Sequence, residues 1–181
     1  KGKIALRATC TGREGHSALA PMALNALHLG ADFLGAVRRL QAEVAADGIR
    51  DGDYDVPYTT LHVGKMQGGV QVNIVPNSCT LDFEIRNLAG DDPQLLIDRL
   101  RADAGRITAP LKPAFPEADI RIDRLWDYPG LGTPTSAPVV QFVKSLTGAN
   151  GTMKVAFGTE GGLFSERLDI PTVICGPGSM A

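Results

Sequence analysis

The chain has 181 residues, is 44% hydrophobic and carries a formal net charge of −2, which suits one globular domain, or one domain and part of a second. So small a charge argues against nucleic acid or an anionic membrane as the main partner. No apolar run approaches the length of a membrane span, and Lys1 to Thr11 lacks the apolar stretch of a secretion signal, so the expected setting is the cytoplasm.

Residues 3–11 alternate, with Ile4, Leu6, Ala8 and Cys10 on one face and Lys3, Arg7, Thr9 and Thr11 on the other. That period predicts a half-buried strand. Residues 12–20 read as a loop containing Gly15-His16-Ser17. After Pro21 a long helix is expected to about Ala46, striped by Leu24, Leu27, Ala31, Leu34, Val37, Leu40 and Val44. Asp47-Gly48 ends it, the glycine suiting a left-handed position after the last turn. Residues 49–57 are charged and turn-rich.

A second strand is expected over Thr59–Lys65, broken by Gly68-Gly69 and followed by an irregular stretch, Val70–Pro76. Cys79, Leu81, Phe83 and Ile85 then alternate with Thr80, Asp82, Glu84 and Arg86, the clearest strand in the chain. Asp92 suits a cap and Pro93 a first turn, opening a helix striped by Leu96, Leu100, Ala104 and Ile107. A proline-rich connection leads to a strand at Ile120–Leu125.

Residues 1–126 thus read β-α-β-β-α-β, an α+β, ferredoxin-like arrangement of four antiparallel strands under two helices. The open edge of such a sheet is a pairing surface for a second copy. Residues 127–135 read as a linker. Ser136 suits the cap of a helix carrying Val139, Val143 and Leu146. Met153–Phe157 and Thr172–Cys175 are apolar on consecutive positions, as strands buried on both faces of a parallel sheet are. Residues 136–181 are therefore expected to be the C-terminal piece of an α/β domain. The lysine start, and an end six residues after an apolar run, point to an excised piece of a longer protein.

The chemistry is sparse. The histidines are His16, His28 and His62, far apart, and the sequence holds no HExxH, CxxC, GxSxG or phosphate-binding loop with its lysine. His28, in the helix, and His62, in a strand, read as structural. Cys10, Cys79 and Cys175 are odd in number and read as free thiols in a reducing compartment.

Three segments remain. His16, in a loop between strand and helix, suits a mobile donor to a developing oxyanion; the alternative is a solvated histidine. Asn73 and Arg86 flank the third strand unit, and Arg86 suits a carboxylate grip; the alternative is a surface pairing with Glu84 or Asp82. Gly158-Thr159-Glu160, after the run ending at Phe157, suits a ligand loop at the carboxyl end of a parallel sheet; the alternative is a set of tight turns.

GHSALAP at 15–21, NIVPNSCTLDFEIRNLAGDDP at 73–93, YPGL at 128–131, FGTEGGLF at 157–164 and CGPGS at 175–179 together resemble the acetylornithine deacetylases. These are a branch of the zinc-dependent hydrolases that also include succinyl-diaminopimelate desuccinylases, aminoacylases and carboxypeptidases. The resemblance implies a lid that dimerises, with His16 reaching the partner subunit's active site to polarise the scissile carbonyl. It implies substrate contacts at Asn73, Arg86, Gly158, Thr159 and Glu160, Arg86 holding the carboxylate. It implies N-acetyl-L-ornithine as substrate, with N-acetylcitrulline, N-succinyl-diaminopimelate or a dipeptide as alternatives. It implies two zinc ions and a glutamate base, all of whose residues lie outside this chain. For the chain taken alone, a non-catalytic dimerisation module is the rival reading.

Overall fold

The alternation of residues 3–11 produces a strand, β1 (Lys3–Thr11), whose Ile4, Leu6, Ala8 and Cys10 are buried. The computed structural model describes residues 1–176. After β1 come β2 (Gly15–His16), α1 (Ala26–Asp47), β3 (Thr60–Gly68), β4 (Ile74–Val75) and β5 (Ser78–Arg86). They are followed by α2 (Pro93–Thr108), β6 (Asp119–Tyr128), α3 (Pro138–Thr147) and α4 (Gly161–Leu168).

The four long strands form one antiparallel sheet in the order β3-β5-β1-β6, with β1 and β5 central. This is the expected α+β, ferredoxin-like order. Buried residues of α1 (Leu29, Phe33, Val37, Leu40, Val44) and α2 (Ile97, Leu100, Ala104) join those of β1, β5 and β6 in one core. Phe33 meets Phe83 edge-on, with ring centroids 5.9 Å apart. On the outer face, Arg7 and Asp82, opposite each other in the register, form a two-point ion pair of 2.6 and 2.9 Å.

Local chemistry moved several boundaries. The first helix starts not after Pro21 but at Ala26, where Asn25 Oδ1 accepts from Leu27 N at 2.9 Å. Ser17–Met22 is instead a 3₁₀ turn, so the buried stripe begins with Ala26, Leu29 and Phe33 rather than Leu27, Ala31 and Leu34. Gly48 follows the last turn at φ −72°, not left-handed; glycine is needed there because a Cβ would press on Val44 O. β3 runs on past Lys65 to Gly68 through a bulge near Gly64. β6 takes in Asp127 and Tyr128, read above as linker.

Beyond the sheet the expectations held less well. The third helix begins after Ala137, with no side-chain cap, so Ser136 does not cap it. Met153–Phe157 and Thr172–Cys175 are not strands. A doubly buried strand needs a neighbour's backbone on both sides. Among the described residues no strand flanks either run, and Met153, Phe157 and Ile174 stay exposed. Polar bonds tie the first of these runs down instead: Lys1 N donates to Val155 O at 3.2 Å, and Lys154 pairs with Asp51 at 2.7 Å. α4 arises where the sequence had suggested only a glycine loop.

Phe33 is fully buried, whereas Phe142 on α3 is 61% exposed. In urea unfolding, Phe33→Ala is expected to cost about 3–5 kcal/mol and Phe142→Ala less than about 0.5 kcal/mol. Equal losses would mean that the core does not lie between α1 and the sheet.

Candidate functional site

Two short segments that look irregular in sequence find each other in the fold. β2 and β4 pair antiparallel, Gly15 with Val75 and His16 with Ile74, and Ser17 N donates to Asn73 O at 3.0 Å. This brings His16 and Asn73 side by side, both exposed. Ala18 N donates to His16 Nδ1 at 3.1 Å. In the neutral ring the proton then sits on Nε2, which leaves an N–H donor for a ligand oxygen. Ordinary strand periodicity cannot reveal a two-residue ladder, which is why the pairing is invisible in the sequence.

Arg86 stands at the far end of β5, opposite Thr60 and beside the start of β1. Its Nε donates to Glu84 Oε1 at 2.9 Å and its Nη1 to the Tyr128 hydroxyl at 3.2 Å. The pairing with Glu84 raised from sequence is thus present, and it orients the guanidinium. Glu84 also takes Lys3 at 2.7 Å. Burial pushes the Glu84 carboxyl up, but the hydrogen bonds from Lys3 and Arg86 outweigh it and hold the group below its ordinary value.

Tyr128, the last residue of β6, belongs to this group although its sequence context is that of a linker. Its ring stacks on Trp126 with centroids 6.0 Å apart. It also lies so close to Gly158 that any side chain there would collide with it. Gly158 therefore sits against the residue that holds Arg86. Thr159 Oγ1 accepts from Gly161 N at 3.3 Å, and Glu160 precedes the first turn of α4 with no side-chain cap bond. A hollow of about 720 Å³ beside this loop is lined by Lys1, Tyr54, Val143, Thr159 and Ile174, among others. Pro177, Gly178 and Ser179 of the CGPGS motif lie outside the described residues.

The site residues thus fall into two groups. His16 and Asn73 lie beyond the Thr11–Ser78 end of the β1–β5 ladder, and Arg86 with Gly158, Thr159 and Glu160 at the other. The nine residues of β5 span roughly 27 Å between them at about 3.4 Å per residue.

Among the described residues no three His, Cys, Asp or Glu side chains gather as a metal-holding group. The residues present do not fit the zinc that the resemblance implies. The two buried cysteines offer no nucleophile in their place: burial pushes the Cys10 thiol up to about 12, and raises that of Cys79 as well. No helix among the described residues is long and apolar enough to cross a membrane.

Comparison with known proteins sets this geometry in a family. Acetylornithine deacetylase of Myxococcus xanthus is 32% identical over 99% of the chain and 46% of its own length. The enzyme of the same name from Pasteurella multocida is 30% identical over 99% of the chain and 45% of its own. The chain therefore spans less than half the length of these relatives. Among solved structures, a Staphylococcus aureus tripeptidase shares the fold with a TM-score of 0.64 at 19% identity, over 94% of this chain and 42% of its own. Aminopeptidase PepT from Bacillus cereus does so with a TM-score of 0.65 at 18% identity, over 91% and 40%. The peptidase dimerisation domain model of the M20 family matches residues 1–111, and with that match the chain belongs to this family.

Proposed function

We propose that this chain is the lid and part of the catalytic domain of a dimeric amide hydrolase that removes acetyl from N-acetyl-L-ornithine, in cytoplasmic arginine synthesis. In this reading the lid, expected over residues 1–126, runs on to the end of β6 at Tyr128, 129–135 are the linker and 136–181 the catalytic-domain piece. The substrate assignment rests on the two deacetylase relatives, each matched along almost the whole chain. The zinc ions and the base belong to residues outside this chain.

One observation carries the mechanism: the distance between the two groups of site residues. An N-acyl amino acid is about two residues long, roughly 7 Å, and cannot touch both ends of a nine-residue strand. If both groups serve one substrate, they come from two copies. A two-fold dimer provides this, because each copy then lends its His16 and Asn73 to the other's Arg86. Arg86 grips the substrate carboxylate and Thr159 lines its pocket. The Nε2–H of the partner's His16 meets the amide oxygen as it gains negative charge. The two-subunit requirement makes dimerisation part of catalysis.

A dipeptide is the second reading of the substrate. An α-carboxylate beside an amide is common to all these compounds, so Arg86 and His16 keep their roles in each.

The test uses the full-length protein and two variants, each crippled alone. His16→Ala is expected to lower kcat about 10²–10³-fold, and Arg86→Ala to raise KM sharply. Mixed and allowed to exchange subunits, they should recover about a quarter of wild-type activity, since half of the dimers are hybrids with one intact site of two. A mixture no more active than its parts would place His16 and Arg86 in separate functions.

Tyr128→Phe deletes the hydroxyl that receives Arg86 Nη1 while keeping the ring against Gly158. It is expected to raise KM about tenfold at nearly constant kcat, the equivalent of one hydrogen bond. A fall in kcat alone would remove Tyr128 from substrate binding.

A further inference from the structure

Cys10 and Cys79 face each other across β1 and β5, and the hydrolase reading uses neither. Both are fully buried in the core under α1. Gly12 N donates to Asn77 O at 2.8 Å, two positions along the same register. Hydrogen-bonded and open pairs alternate along an antiparallel ladder, so Cys10 and Cys79 are themselves a hydrogen-bonded pair. Opposed Cβ atoms there lie at the wide end of about 4.5–5.5 Å. A disulfide needs about 3.5–4.5 Å. The Cβ separation is wider than a disulfide prefers, although the Cα separation of such a pair, about 5.5 Å, lies within its range. The gap does suit one atom between the sulfurs, since two bonds of about 2.3 Å to a metal separate them by about 4.6 Å.

A third sulfur lies close by. Met66 sits opposite Leu81 on β3, two residues from Cys79 and therefore on the same face of the sheet. Cys79 Sγ and Met66 Cε come within 2.8 and 2.9 Å of the point where a Cβ on Gly30 would stand. The bare glycine of α1 thus leaves room for both. Met66 is 37% exposed and lies on an edge strand, so its thioether marks the way in from solvent.

We propose that Cys10 and Cys79, with Met66 at the way in, form a binding site for a soft, two-coordinate divalent cation of the mercuric class. Binding displaces two protons: Hg²⁺ and two thiols give a neutral Hg(SR)₂ unit and two H⁺, with no oxidation or reduction. Neutrality is what an apolar core requires. A monovalent copper or silver ion between two thiolates would leave a buried negative charge. Zinc would demand four ligands, and the described residues offer no such group. Because each thiol gives up its proton on binding, binding strengthens as pH rises.

The site lies at the root of the proposed lid contact. Cys10 precedes His16 by six residues and Cys79 follows Asn73 by six. A cation between them pins the two strands from which both arms leave. It would stabilise the folded chain whether or not the parent is a deacetylase.

The experiment uses this chain in a Cys175→Ser background, which removes the exposed thiol. Mercuric chloride is titrated while ultraviolet sulfur-to-mercury absorption, native mass and proton release are followed. The expected result is one mercury per folded chain, two protons released and a higher thermal midpoint. Cys10→Ser in this background should weaken binding at least a hundredfold. Met66→Leu should slow uptake while one mercury is still bound. Two mercury ions per chain, one proton per metal, or uptake only in denaturant would overturn the proposal. A Cys10–Cys79 disulfide formed by diamide in the folded chain would overturn the argument from the gap.

Discussion

The register between β1 and β5 decides where everything else in this protein can be. These two central strands pair without a slip from Ile4–Ile85 to Thr11–Ser78. Every second pair turns inward, so Leu6 with Phe83 and Ala8 with Leu81 supply the floor on which α1 and α2 rest. A slip of one residue would send those side chains to solvent and the Arg7–Asp82 pair into the core. The apolar face therefore specifies the register strongly, and the polar face adds an ion pair in agreement with it. At either end of this rigid ladder the chain leaves for a different purpose.

At the Thr11–Ser78 end the exits rejoin as the β2–β4 ladder, and His16 comes to lie beside Asn73 with its Nδ1 already engaged. At the other end Glu84, Arg86, Lys3 and Tyr128 form a linked polar group. A strand is stiff and cannot fold back on itself, so these two groups stay apart in one copy. Within the proposed function this stiffness is useful: a site completed only by a second copy cannot act until the dimer has formed. The family relationship of residues 1–111 to a dimerisation domain is consistent with that need.

The parts of the fold legible in sequence were those with a repeating period and a full core face. β1, β5 and α2 follow directly from alternation or a helical stripe, and Asp92 caps α2 as its chemistry suggests, accepting from Gln94 N at 2.8 Å. Illegible parts depended on partners distant in the chain. The start of α1 was set by Asn25 rather than Pro21, because a cap bond decides where the helix can begin. β2 and β4 are too short for any period. The runs at 153–157 and 172–175 have strand composition but no flanking strand, and composition cannot supply the missing hydrogen bonds. For the site, residue type pointed to His16, Asn73 and Arg86; only the fold reveals that a strand's length separates the first two from the third.

Tyr128 is where the sheet and the C-terminal segment are joined. It is the last residue of β6, and its neighbour Pro129 begins the passage to α3. Its ring leans on Trp126, over which Lys3 Nζ sits 4.3 Å from the ring centre. The hydroxyl holds Arg86, and the same end of the ring leaves Gly158 no space for a side chain. A displacement of the 158–160 loop toward the ring would therefore move Tyr128, and movement of Tyr128 breaks or bends its bond to Arg86. Through this one ring, the orientation of the proposed carboxylate grip depends on where the C-terminal segment lies against the sheet. A hinge at residues 129–135 would consequently change the geometry at Arg86 while leaving His16 and Asn73, anchored at the other end of β1 and β5, where they are.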